Sequence, residues 1–289
     1  MVPVRGLTRV ASANSLAANG EQPIAQSFER FALGCSPSTM KQIGIFTATR
    51  WELNAVRRAI LVEEQTRIGG ARGVVGRRGN GRLFVFQTGV GTAKADAVCR
   101  KVFASHPLDL AVSCGFACAL TAADIGELLI GTDVIMYQAT ANPPAAGRVI
   151  PCAEHLTAAA VRAAPAAGLP ARAGRFVTVP RVVWRAQDKR EIAAGTGAVG
   201  LDMESAAVGA AALERNIPFA IVRAVSDLLD EDLPFDFNLW LSPTGWARGT
   251  LTCLARPSSL IALNRLRAQT ALASERMTRF WGRFLDDLE

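Results

Sequence analysis

The chain has 289 residues, half of them hydrophobic, and a formal net charge of +7 at pH 7. That supplies a core for one large α/β domain or two modest ones, and no apolar run reaches the roughly 18 to 20 uncharged residues of a membrane span. The positive charge comes almost wholly from arginines spread along the chain, not from a basic block, which argues against a nucleic-acid partner; the six cysteines form no CxxC pair and with two histidines give no zinc spacing.

Residues 1–39 show little periodicity and lack the continuous apolar stretch of a secretory signal, so a poorly ordered N-terminal extension is expected, with Met40 as the functional start. A transit peptide is the alternative, since acids are few there. Ile43–Ala48 (IGIFTA) then predicts a buried strand, and Trp51–Ile60 places Leu53, Val56 and Ile60 on one side of a helix. Leu83–Gln87 (LFVFQ) predicts a second strand, followed by the turn TGVGTA and a helix through Val98 and Val102. LDLAVSCG predicts a third strand, GELLIGTDVIMY an extended fourth, and GRFVTV, AVGLDM and PFAIVRAVSD three more. Strands alternating with helices predict an α/β fold of three layers, a mostly parallel central sheet flanked by helices. The expected divisions are residues 40–234 for this domain and 235–289 for a C-terminal helical extension. Reduced, mostly buried thiols in a cytoplasmic protein are expected.

Ligand sites in such sheets form beyond the carboxyl ends of the strands. That rule selects Arg50 and Glu52 after the first strand, Thr88, Gly89 and Gly91 after the second, and Ser113, Cys114 and Gly115 at the third. After the late strands it selects Met203, Glu204, Ser226 and Asp227. Singly, most have a plain structural explanation. TGVG is too short for a dinucleotide fingerprint and reads equally as a packing turn; Glu52 reads equally as a solvated helix residue, and Asp227 as a helix N-cap. Glu204 is harder to dismiss, because an acid between Met203 and an alanine-rich helix is not buried without a partner or a task. Asp202 and Ser205 read as support for the turn and a cap for that helix.

Together, the stretches IGIFTATRWEL, TGVGTAKADAV, VSCGFACAL and VGLDMESAAVGAAALERNIPFAIVRAVSD resemble, in order and spacing, the purine nucleoside phosphorylase and uridine phosphorylase superfamily over roughly Lys41–Pro234. Within it the chain is most similar to the methylthioadenosine/S-adenosylhomocysteine nucleosidases and the hopanoid-associated adenosylhopane nucleosidases. TATRWEL and SDLLDEDLP incline it toward the hopanoid branch. The resemblance implies hydrolytic cleavage of the N-glycosidic bond of an adenine nucleoside, with adenosylhopane as substrate and adenine as product. The alternatives are a methylthioadenosine/S-adenosylhomocysteine nucleosidase, a phosphate-dependent purine nucleoside phosphorylase and, from another class, a catalytically silent nucleoside-binding protein. A cytoplasmic homo-oligomer without metal or organic cofactor is also implied.

Cleaving an adenine N-glycosidic bond calls for protonation of the base and stabilisation of positive charge on the ribose. By resemblance, Asp227 is the acid that bonds purine N7 and delivers the proton, Glu204 binds the ribose hydroxyls, Met203 lies against the ribose face and Glu52 polarises the attacking water. Gly89, Gly115 and Ser226 are expected to line the substrate. Ser113 argues for phosphate, since VSCG resembles a phosphate-contacting loop and Arg50 would add positive charge. Against it, Leu110, Ala111 and Val112 stand where an arginine commonly precedes that loop, and Glu52 would repel a phosphate dianion; hydrolysis is favoured. Phe116, Cys118 and Ala119, and Val182, Trp184 and Arg185 near the base-stacking loop, depart from the nucleosidase pattern. Asp188, beside Lys189 and Arg190, reads as a solvated helix start.

The last stretch holds three tryptophans and seven arginines, with Leu260, Leu263 and Leu266 near a helical stripe. It is expected to be a helix covering the core or a subunit contact. The alternative is an interfacial helix with Phe280 and Trp281 in the headgroup region, making a peripheral membrane contact suited to a lipid-linked nucleoside.

Overall fold

The computed structural model describes residues 40–137, 146–233 and 257–288. The expectations for residues 1–39, and for Trp240 and Trp246, lie outside them. Two apolar runs set the centre, β1 (Lys41–Thr47) and β5 (Leu110–Ala119), in which Ile45, Ala111, Val112 and Cys114 are fully buried. Strands covered on both faces need apolar side chains on both, which is why these read as continuous runs rather than alternations. β1 pairs in parallel with β5 and with β4 (Gly81–Gln87). β6 (Leu128–Tyr137), β8 (Ala171–Thr178), β9 (Gly200–Asp202) and β10 (Phe219–Asp227) follow at the expected places.

The helices between them are α1 (Arg50–Arg57), α2 (Thr92–Ser105), α3 (Glu154–Ala166), α4 (Ala186–Thr196) and α5 (Ser205–Leu213). α1 and α3 pack on one face of the sheet, α2 and α5 on the other, which gives the expected three-layer α/β fold. The alanines of α5 let it lie close against the sheet, where Ala206, Val208, Ala211 and Ala212 are buried.

Among the described residues half of the strand pairings are antiparallel, so the sheet is mixed. β10 with β5, β6 with β8 and β8 with β9 are parallel, whereas β10 with β6 and β5 with β9 are antiparallel. These five strands therefore pair in a closed circuit, and the sheet curls on itself where β9 and β10 end. Three strands go unread in the sequence: β2 (Leu61–Ile68) and β3 (Ala71–Arg78), an antiparallel hairpin on β4, and β7 (Ala146–Pro151), on β6. β2 is largely exposed and has no apolar face to signal it. The hairpin's signal is Gly69-Gly70, both at positive φ, as a two-residue turn between twisted strands requires.

A last helix, α6 (Pro257–Phe284), packs against α1, α3 and β10. Met277, Phe280, Trp281 and Phe284 are fully buried; Trp281 Nε1 donates to Cys114 Sγ at 3.1 Å, and Phe280 stacks on Phe284 with centroids 5.1 Å apart. The headgroup-facing aromatics are thus corrected: Phe280 and Trp281 are core residues, and burial against the sheet satisfies their apolar area. Of the leucine stripe, Leu263 is exposed and Leu266 half-buried, while the Leu260 side chain lies outside the described residues. No helix among the described residues is long and apolar enough to cross a membrane.

Candidate active site

α1 begins with a capping box. Glu52 N–H donates to Thr49 Oγ1, and Glu52 Oε2 accepts from Thr49 N at 2.6 Å and from its hydroxyl at 3.0 Å. The other oxygen, Oε1, accepts from Phe116 N–H at 2.8 Å, across the sheet on β5. Glu52 is only 3 % exposed, so it is a buried acid and not a solvated helix residue. Gly115 permits this placement, because a Cβ there would fall 2.2 Å from Glu52 Oε1 and 2.6 Å from Arg223 Nη1.

Arg223 is the centre of the site. It projects from the middle of β10, is 1 % exposed, and places Nη2 3.0 Å from Asp202 Oδ2 and 3.7 Å from Glu204 Oε2, with Nη1 4.0 Å from Glu52 Oε1. Three buried acids surround one guanidinium, which is what makes their burial tolerable. Asp202 Oδ1 accepts from Thr178 Oγ1 at 2.7 Å and from Ser205 N–H at 3.1 Å, so Asp202 both holds the turn into α5 and anchors Arg223. Glu204 Oε1 accepts from Gly91 N–H at 2.9 Å. Gly89 and Gly91 hold φ of 85° and 100°, a path natural to glycine, and so bring the β4 turn to Glu204.

Burial pushes the Glu204 carboxyl up to about 7, opposed by Arg223 and the Gly91 N–H and reinforced by the charges of Asp202 and Glu52. An acid whose folded pKa lies above its ordinary 4.5 contributes most to stability below that value, and the contribution is lost as pH rises through about 7. Replacing Glu204 by Gln therefore raises the melting temperature relative to wild type more at pH 8 than at pH 5. A difference independent of pH would contradict this account of Glu204.

Ser113 departs from its expected role. Its side chain is fully buried, and its hydroxyl accepts from Ser205 Oγ at 2.9 Å and from Arg223 Nη2 at 2.8 Å. It supports the guanidinium from below and has no open face for phosphate. Met203 and Ser226 are half-buried beside Glu204 and Asp227.

Asp227 ends β10, four residues beyond Arg223, and residues 228–233 after it form no helix, so it is not an N-cap. Burial raises its pKa, and the Lys189 ammonium opposes the rise. Lys189 comes from α4 and is fully buried, with Nζ 2.9 Å from Asp227 Oδ1. Beside α4 a cleft of 360 Å³ is lined by Tyr137, Val179, Val183, Trp184 and Ile192, and the Arg185 guanidinium lies 4.6 Å over the Trp184 ring. Val182 and Asp188 also line it, so the loop expected to stack on the base borders open space.

The structure thus gathers Glu52, Gly115, Ser113 and Glu204 about Arg223, brings Gly91 to Glu204 with Gly89 in the same turn, and sets Asp227 on the strand of Arg223. Arg223 and Lys189 go unread as site residues in the sequence. For Arg223 the usable signal is a lone cation inside the apolar strand FAIVRAV, which burial obliges to find acids.

A family model described as the phosphorylase superfamily matches residues 42–244. A 5'-methylthioadenosine/S-adenosylhomocysteine nucleosidase of Haemophilus ducreyi is 26 % identical over 214 residues, 69 % of this chain and 90 % of the relative. Among solved structures, the Helicobacter pylori 5'-methylthioadenosine/S-adenosyl homocysteine nucleosidase in complex with a pyrrolidinol compound superposes with a TM-score of 0.69 at 18 % identity, covering 86 % of this chain and 98 % of that one. The futalosine hydrolase of Helicobacter pylori gives the same TM-score, identity and coverage.

Proposed function

We propose that this chain, which belongs to the phosphorylase superfamily, hydrolyses the N-glycosidic bond of an adenine nucleoside and releases adenine. The observation that carries this reading is the ring of Glu52, Asp202 and Glu204 around the single guanidinium of Arg223. With Ser113 consumed beneath Arg223, that ring presents excess negative charge, which disfavours a phosphate dianion and favours a neutral nucleophile. The same charge stabilises an oxocarbenium-like ribose.

In this reading protonated Asp227 gives its proton to purine N7 as the C1′–N9 bond breaks and its electrons pass to adenine. Glu204 accepts hydrogen bonds from the ribose hydroxyls and Met203 lies against the sugar. Water forms the new C1′–O bond and yields a proton to Glu52. The relatives named for methylthioadenosine and S-adenosylhomocysteine support adenine as the leaving group. For the 5′ substituent we read hopane, on the likeness of TATRWEL and SDLLDEDLP to the hopanoid branch. Trp51 adds support: it precedes Glu52 in the chain and, 64 % exposed, offers apolar surface to solvent. The four described cysteines are free thiols, which supports a cytoplasmic setting.

Adenine release from adenosylhopane, methylthioadenosine and S-adenosylhomocysteine, followed by chromatography, tests the reading. Release is expected from all three, fastest from adenosylhopane. Release from none would overturn the enzyme in favour of a silent nucleoside-binding protein, and preference for the small thioethers would overturn the hopane assignment.

A further inference from the structure

Lys189 carries three N–H groups and meets three acceptors, Asp227 Oδ1 at 2.9 Å, Leu228 O at 3.0 Å and Glu231 O at 2.6 Å. Its side chain is fully buried and its hydrogen bonds are saturated, so it has no freedom to swing away. The ammonium therefore ties α4 to the acid at the end of β10 and to the turn after it. Ala186 N–H reinforces this by donating to Asp232 Oδ1 at 2.7 Å, as does Arg190 by pairing with Asp230 at 2.9 Å. The other groups facing Asp227 are the Cys118 thiol from β5 and the Glu231 carboxylate. Glu231 is itself engaged by Arg265 and Gln269 of α6.

Resting on the hydrolytic reading above, we propose that Lys189 is the positioning residue of the acid. It holds the Asp227 carboxyl by Oδ1, so that the opposite oxygen carries the proton to purine N7, and it stabilises the carboxylate that remains. The step balances: the proton leaves Asp227 for N7, the electrons of the C1′–N9 bond pass to adenine, and the new carboxylate pairs with an ammonium already in place. Burial without Lys189 would hold the proton too tightly to give up. Lys189 with less burial would leave too little of the acid protonated.

The test is the pH profile of kcat/KM for adenine release by wild type, Lys189→Arg and Lys189→Gln. The reaction needs Asp227 protonated, so activity falls as pH rises through its pKa. Removing the ammonium raises that pKa, so in Lys189→Gln the alkaline limb moves up by about 1 to 2 pH units, while the plateau falls about tenfold or more. Lys189→Arg keeps the charge and leaves the limb at the wild-type position. A merely structural lysine would scale the whole profile without moving the limb, and that result overturns the proposal. So does failure of both Lys189→Gln and Lys189→Met to fold, since Lys189 would then serve the fold and not the acid. A wild type that releases no adenine sinks the hydrolytic reading and this role together; an active wild type with an unmoved Gln limb sinks only the role of Lys189.

Discussion

Asp227→Asn is expected to lower adenine release by about 10²- to 10⁴-fold, the range set by loss of a general acid. The amide is isosteric and keeps a carbonyl oxygen where Lys189 Nζ donates at 2.9 Å, so the end of β10 retains its geometry. An amide N–H can hydrogen-bond purine N7 but has no proton to surrender, so binding survives and bond cleavage does not. Circular dichroism should match wild type and KM should change little. Activity within tenfold of wild type would show that N7 is protonated from elsewhere.

Arg223→Met is expected to be the most destabilising substitution in the site, by about 3 to 5 kcal/mol, the cost of removing one partner from a buried ion pair. Asp202 would lose a contact of 3.0 Å and Glu204 one of 3.7 Å, while methionine fills part of the guanidinium's volume and supplies no charge. Glu204, whose raised pKa Arg223 opposes, would bind its proton more tightly, and an acid with a raised folded pKa costs stability as pH rises through that value. The loss, read from urea unfolding, is therefore larger at pH 8 than at pH 5. A loss below about 1 kcal/mol, or one equal at both pH values, would contradict the central role given to Arg223.

Glu52, Gly89, Gly91, Glu204 and Asp227 were legible because each lies at or just beyond the carboxyl end of an apolar run. Glu204 stood out further, since the alanines after it demand close packing and close packing demands a reason for the charge. Arg223 was not legible, because its partners are remote: the bond to Ser113 spans 110 positions, and only the closed pairing of β5, β10 and β9 brings them together. Lys189 was hidden by its neighbours, for QDKRE reads as a solvated run. Its burial is decided by Asp227, 38 positions away. The aromatic residues of α6 present the same ambiguity, since a helix with Phe280 and Trp281 beside arginines suits a bilayer surface and a sheet face equally well. The face left by α1 and α3 resolves it.

The central claim is that water, not phosphate, attacks C1′ in a site ringed by Glu52, Asp202 and Glu204. The most direct measurement is mass spectrometry of the sugar product after cleavage in heavy-oxygen water, with and without inorganic phosphate. A free sugar carrying one heavy oxygen at C1′, formed at a rate indifferent to phosphate, is the result this account predicts. A sugar 1-phosphate, formed only when phosphate is present, would contradict it.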